Sequence, residues 1–320
     1  MKLFTAFLKL VRWPNLFFIA LTQWLFYKCV VHSLYINNPQ TLIKVANNEM
    51  LFYFLMAASL FIAAAGYIIN DYFDVQIDTI NKPEKVVVDQ IVKRRWAIMW
   101  HIIFSAIGIL LSAYVSYKTN KLVILIANIC CVLLLWFYST KFKRKLLTGN
   151  IIIAALTAWV IIVVYFFAGA TFIDYFGWNT IHYPYNIKQF YKITILYAGF
   201  AFIVSLIREV IKDMEDMHGD AQFHCHTMPI EWGIPATKVF VAVWIVVCVA
   251  SLLIVQLYVW QLGFWFIALY SIILAIIPLI LILKELYKSS TAVHYHRLST
   301  YLKFVMLTGI LSMIFFKFLG

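Results

Sequence analysis

Two short acidic stretches hold most of the aspartates of this 320-residue chain. The first reads Asn70-Asp71-Tyr72-Phe73-Asp74-Val75-Gln76-Ile77-Asp78. The second reads Asp213-Met214-Glu215-Asp216-Met217-His218-Gly219-Asp220. Together they contain six of the eight aspartates. In each stretch the aspartates are spaced i, i+3, i+7, which on a helix places them on one face. Like charges stacked on one face repel unless a cation sits among them. Oxygen ligands without His or Cys favour Mg²⁺ or a similar hard ion over zinc, and Mg²⁺ is commonly held by a few carboxylates together with substrate phosphates. The pattern points to two carboxylate clusters that face each other across a cavity and hold divalent ions, which in turn hold a diphosphate. The competing reading is a pair of solvated helix ends whose acids pair with Lys82, Lys85 or Lys212.

Basic residues flank both stretches. Arg208 and Lys212 lie i, i+4 in Arg208-Glu209-Val210-Ile211-Lys212-Asp213, where they can neutralise a leaving diphosphate. Lys82 follows the first stretch, and Lys141 opens the basic run Lys141, Lys143, Arg144, Lys145. For most of these bases, with Arg208 the exception, control of membrane topology explains the charge better. Arg12 and Asn15, at the mouth of the first apolar run, are further candidates. His218, His224, Cys225 and His226 are zinc-ligand types, but they lack a ligand-pair spacing and read more simply as a loop. No G-x-S-x-G elbow occurs, so a hydrolase triad is not supported.

These residues must be carried by membrane helices. The chain is 64% hydrophobic and only 12% charged, with a mean hydropathy of +0.88, too apolar for a soluble protein. Apolar runs near membrane-spanning length recur at roughly 14–32, 50–69, 96–117, 122–138, 149–170, 191–207, 239–260, 263–283 and 301–319. They predict an all-α polytopic membrane protein, with about nine transmembrane helices around a central cavity and one domain over 1–320. The first run lacks a small-residue cleavage site. With the N-terminus cytoplasmic, 19 of the 26 basic residues fall in cytoplasmic segments. This orientation puts both aspartate stretches on the cytoplasmic side. The same distribution accounts for the net charge of +12 without nucleic acid. Trp13, Trp24, Tyr27, Trp96, Trp100, Trp136, Tyr138, Trp178 and Trp260 are expected as interfacial anchors. The segment 171–190 is expected as an outer surface loop. The five cysteines form no CxxC, and four of them fall in or beside apolar runs as packing residues.

Asn70-Asp71-x-x-Asp74-x-x-x-Asp78 followed by Ile80-Asn81-Lys82-Pro83 resembles the first signature of the UbiA superfamily of intramembrane prenyltransferases. Arg208-Glu209-x-x-Lys212-Asp213-x-Glu215-Asp216-x-x-x-Asp220 resembles the second. Arg12-Trp13-Pro14-Asn15, Tyr138-Ser139-Thr140-Lys141 and Gly149-Asn150 also match. Within the superfamily, the second motif and Thr227-Met228-Pro229-Ile230 are most similar to the branch that prenylates geranylgeranylglycerol phosphate. The chain departs from the pattern after the first motif, reading Val86-Val87-Val88-Asp89-Gln90 in place of a Pro and a Ser-Gly turn.

The resemblance implies a Mg²⁺-dependent enzyme of a cytoplasmic (inner) membrane, surrounded by membrane lipids. It would transfer a polyprenyl group from an allylic diphosphate donor to a lipophilic acceptor. Asp71, Asp74 and Asp78, with Asp213, Asp216 and Asp220, would bind metal. Asn70, Arg12, Asn15, Lys82, Tyr138 and Lys141 would bind substrate, and Arg208 and Lys212 would act on the leaving diphosphate. Asp78 or Asp220 would take the acceptor's proton, and loops 79–95 and 221–237 would keep water from the carbocation. An aromatic acceptor of quinone or haem side-chain type uses the same donor chemistry. A cation-coupled transporter would also carry acids at membrane edges, but it predicts charge within the spans and Gly/Pro-broken helices, and the spans here hold almost no charge.

Overall fold

The computed structural model describes residues 2–35, 48–83, 86–169 and 187–318. Its helices are α1 (Lys2–Leu10), α2 (Trp13–Leu25, continuing through the π-helical Phe26–Val31 and the turn His32–Tyr35), α3 (Glu49–Asn81), α4 (Arg94–Thr119) and α5 (Leu122–Thr140). They continue with α6 (Thr148–Ala168), α7 (Ile187–Gln222), α8 (Gly233–Gln261), α9 (Trp265–Ser271, then π-helical Ile272–Ile276 and Ile277–Lys288) and α10 (Ala292–Leu311, ending in a 3₁₀ stretch Ser312–Phe318). Among the described residues nine helices are long and apolar enough to cross a membrane, α2 to α10, and no strand occurs. Of the expected outer loop 171–190, the part up to 186, with Asp174, Trp178, Tyr183 and Pro184, lies outside the described residues, as does Lys85, while 187–190 are not loop but the first turn of α7.

The chain forms two compact units. The first comprises Met1–Lys141, Trp159–Leu196 and Phe316–Gly320. Pro14 stands in the first turn of α2, where its missing N–H has no helical partner to lose. Asn120, in the left-handed region at φ 56°, ends α4 and lets α5 start two residues later. Lys121 then donates to the Phe166 and Phe167 carbonyls at 2.8 and 2.9 Å, completing the C-terminal end of α6. The α3–α4 pair makes the most extensive contact in this unit. Gly108 permits it, since a Cβ there would stand 2.6 Å from Ile62 Cγ1. The interior carries few polar groups and pairs some of them across helices. Asn128 donates to Ser112 Oγ at 2.8 Å and accepts from Trp159 Nε1 at 3.1 Å. Trp13, Trp24, Trp96, Trp136 and Trp260 are exposed as expected of interfacial side chains. Tyr27 differs: it is buried, stacked on Phe52 with centroids 4.0 Å apart, because the π-helical turn rotates it inward.

The second unit comprises Phe142–Ala158 and Tyr197–Phe315. Its core joins Val204, Ile207 and Ile211 of α7 to Ile245 of α8, Leu279 of α9 and Leu302 of α10. Pro278 lacks the N–H that would bond the Leu274 carbonyl four residues back. That carbonyl instead accepts from Thr308 Oγ1 of α10 at 3.0 Å, as lipid-embedded backbone requires. Gly309 lies against Phe200, where a Cβ would come within 2.5 Å of the ring. Replacing Thr308 by Val leaves the Leu274 carbonyl without its donor and should cost about 1 kcal/mol. Thermal unfolding in detergent should show a lower midpoint for Thr308→Val and a nearly unchanged one for Thr308→Ser, which keeps the hydroxyl.

Candidate active site

The first acidic stretch occupies the last turns of α3, which continues unbroken past its apolar part to Asn81. Asn70 and Asp74 are buried. A buried carboxylate needs compensation, and Asn70 Nδ2 provides it at 2.6 Å to Asp74 Oδ2. The other amide atom, Asn70 Oδ1, is buried and has no hydrogen-bond partner. One residue on, Asp71 accepts from Arg12 Nη2 at 2.6 Å. The guanidinium also lies over the Tyr67 ring, 5.3 Å from its centroid. The charge of Asp71 raises the Arg12 pKa against the opposing effect of burial, with Tyr67 and Asp78 adding to the rise. Arg12 itself adopts left-handed φ 51° and ψ 54° at the joint of α1 and α2. Asn15, half-buried, donates its backbone N–H to the Arg12 carbonyl at 2.8 Å. Asp78 is half-buried in the last turn, and its carbonyl accepts from the Lys82 backbone N–H at 2.8 Å. Tyr138 is half-buried at the end of α5, and Lys141 is exposed just beyond it.

Beyond Asn81 the stretch Val86–Gln90, where the sequence departs from the family pattern, forms a hook. Val87 and Val88 are buried with Ala6 and Leu10 of α1 and Ala64 and Ala65 of α3. Arg94 closes the hook, 3.7 Å from Asp89 and over the ring of Tyr72 at 4.6 Å.

The second stretch lies on α7, which likewise runs on to Gln222. Asp213 accepts from Asn150 Nδ2 of α6 at 2.8 Å. Asp220 is buried and Asp216 half-buried. Arg208 and Lys212 do not stand apart as two bases. Arg208 Nη1 donates to Glu209 Oε1 at 2.7 Å and Lys212 Nζ to Glu209 Oε2 at 2.8 Å, so one nearly buried carboxylate holds both. Glu215 sits apart from the aspartate face and meets His296 Nδ1 of α10 at 3.0 Å. Of the zinc-type residues, Cys225 is buried and the His226 ring pairs with Glu231, as in a structural loop. Among the described residues no three His, Cys, Asp or Glu side chains form a metal-holding group by themselves.

The structure thus brings together Arg12 with Asp71, Asn70 with Asp74, and Arg208 with Lys212. No role followed from the sequence for Tyr67, Asn150 or Glu209, although Asn150 and Glu209 stand within the matching motif pieces. Asn150 is 63 residues from Asp213, so only the fold joins them. Glu209 stands one residue from Arg208 and three from Lys212, a spacing that contained the contact. The donor set suits Mg²⁺: the acids offer oxygen only, Asn70 Oδ1 is an unsatisfied buried oxygen, and a set too sparse to enclose an ion is what Mg²⁺ uses when phosphates complete its shell.

The profile of the UbiA prenyltransferase family matches residues 43–307. The chain belongs to the UbiA prenyltransferase family. It is therefore an integral membrane prenyltransferase, and the transporter reading is set aside. A digeranylgeranylglyceryl phosphate synthase of Methanosphaera stadtmanae is 29% identical over 249 residues, covering 78% of this chain and 81% of the relative. The fold is shared with a solved digeranylgeranylglyceryl phosphate synthase, at TM-score 0.59 and 24% identity over 98% of this chain and 99% of the other. A UbiA homologue from Archaeoglobus fulgidus, solved with DMAPP and Mg²⁺, has TM-score 0.55 at 15% identity over 96% and 98%. In this family member, Glu209→Gln keeps the side-chain shape but removes the charge that holds Arg208 and Lys212. The expected result is a stability loss of roughly 2 kcal/mol by thermal unfolding and prenyl-transfer turnover reduced about tenfold or more.

Proposed function

We propose that this enzyme uses Mg²⁺ to transfer a geranylgeranyl group from its allylic diphosphate to geranylgeranylglycerol phosphate, the ether-lipid reaction. Carrying this reading is the occurrence of both oxygen-rich helix ends, each compensated by an amide or a cation, in a UbiA member. The M. stadtmanae relative it resembles over most of its length is a digeranylgeranylglyceryl phosphate synthase. The A. fulgidus homologue, which shares the fold, binds an allylic diphosphate with Mg²⁺.

In this reading Asp71, Asp74, Asp78, Asp213, Asp216 and Asp220 supply metal ligands, and the chain works as a single prenyltransferase domain to which both motifs contribute. Mg²⁺ held by these acids would supply positive charge against a diphosphate leaving group. Asn70, Arg12, Asn15, Lys82, Tyr138 and Lys141 orient the substrates. Arg208 and Lys212, held at a fixed separation by Glu209, stabilise the departing diphosphate. The acceptor hydroxyl forms the new ether bond and its proton passes to Asp78 or Asp220. The apolar spans exclude water from the carbocation. The enzyme sits in the cytoplasmic membrane with its N-terminus and its acids on the cytoplasmic side, the orientation favoured by the basic residues.

Purified protein given Mg²⁺, geranylgeranyl diphosphate and geranylgeranylglycerol phosphate should form a diether phosphate detectable by mass spectrometry. Asp74→Asn and Asp216→Asn should each lower its formation roughly a hundredfold or more. Product only from an aromatic acceptor would move the enzyme to the quinone branch. Diphosphate release unaffected by either substitution would remove the acids from the mechanism.

A further inference from the structure

Arg12 occupies a position that a substrate-binding role alone does not explain. Its guanidinium rests on an aspartate, Asp71 Oδ1, at 2.6 Å, and not on a backbone carbonyl or an aromatic surface alone. Tyr67, one turn earlier on α3, supports the same group from its ring face. The backbone beside Arg12 cannot retreat. Leu10 and Val11 are buried with Ala64, Ala65 and Ile68 of α3. The left-handed conformation of Arg12 follows directly on that packing of the two residues before it. Any change of partner must therefore be a swing of the side chain, which is 35% exposed and free to reach a ligand arriving from water.

A carboxylate oxygen that accepts a charge-assisted hydrogen bond cannot take a divalent ion without placing positive charge on both sides of one atom. A diphosphate changes that balance, since it offers a guanidinium a multiply charged, fork-matched acceptor. We propose that Arg12 is an exchangeable counter-ion: it competes with the metal for Asp71 and is drawn off by the diphosphate, so that metal and donor load together. This rests on the reading of Asp71 as a metal ligand. Coupling is reciprocal: if diphosphate promotes metal binding through Arg12, metal promotes diphosphate binding by the same factor. The benefit is chemical. A diphosphate site that holds its metal poorly until the donor arrives presents no loaded Lewis acid to other phosphates.

The test is Mn²⁺ binding to the full-length protein in detergent, followed by electron paramagnetic resonance or calorimetry, with and without inorganic pyrophosphate. Wild-type protein should bind Mn²⁺ more tightly when pyrophosphate is present. Arg12→Gln should bind Mn²⁺ about five- to tenfold more tightly without pyrophosphate and lose most of that enhancement. In an Asp71→Asn background, Arg12→Gln should leave Mn²⁺ affinity unaltered. Unchanged or weaker Mn²⁺ binding by Arg12→Gln, or an effect that survives Asp71→Asn, overturns the exchange while leaving Asp71 a metal ligand. Should Arg12→Gln fail to fold, wild-type binding still decides, since independent binding of Mn²⁺ and pyrophosphate overturns the proposal. Wild-type protein that binds no Mn²⁺ in either condition overturns the metal assignment together with the exchange.

Discussion

A carboxylate on a helix that is otherwise apolar enough to cross a bilayer has to be answered within a few ångströms. Water is scarce, the surrounding side chains are hydrocarbon, and an isolated charge in such a medium is costly. Several acids of the two motifs show a distinct local answer. Asp74 has the Asn70 amide, Asp71 the Arg12 guanidinium, and Asp213 the Asn150 amide. Two of these answers are neutral dipoles, which lower the cost of the charge without cancelling it. Such acids remain negative enough to attract a cation. The third is a cation already, so the charge of Asp71 is balanced by a side chain of the chain itself.

The backbone obeys the same constraint. Pro278 removes one helical hydrogen bond and a threonine from the neighbouring helix replaces it. Lys121 completes the carbonyls at the end of α6. Glycines then allow the close contacts through which such partners reach each other, as Gly108 does against Ile62. Packing thereby sets the distances between polar partners. The N-terminal helix is the clearest case. Its buried Leu10 and Val11 secure the joint at which Arg12 turns back toward α3, and the valine hook after the first motif packs into the same cluster.

Charge around the second motif is balanced more finely than a count of bases suggests. Glu209 takes one contact from Arg208 and one from Lys212, so the trio carries a single net positive charge. Two bases held by one carboxylate lose less conformational freedom when an anion arrives than two free side chains would. Glu215, two residues beyond Asp213, is engaged by His296 on another helix. A motif that reads as one run of acids is divided by the helical period into a face that carries the aspartates and a face on which Glu215 packs.

The sequence alone determined the class of the protein and the identity of its acids. Hydrophobic runs of membrane length depend on composition over about twenty residues, so the nine spans are legible, but α8 begins at Gly233 and α10 at Ala292, well before the expected starts at 239 and 301, and the two motif-bearing helices run on past their apolar parts. There the hydropathy drops at Asn70 and at Arg208, while α3 and α7 continue for several more turns, because helical hydrogen bonding does not require apolar side chains. The aspartate spacing is likewise local, and so is its all-oxygen chemistry. What only the tertiary structure decided is which polar group answers which. Arg12 and Asp71 are 59 residues apart, Asn150 and Asp213 are 63, and no periodicity relates them. Tyr27 shows the same limit in reverse. Its place near a span end reads as an interfacial anchor, yet a π-helical turn carries it into an aromatic stack with Phe52. Local pattern decides where a helix runs and which residues share its face. The partners of that face depend on packing between distant segments, where the cost of an unanswered polar group selects one arrangement.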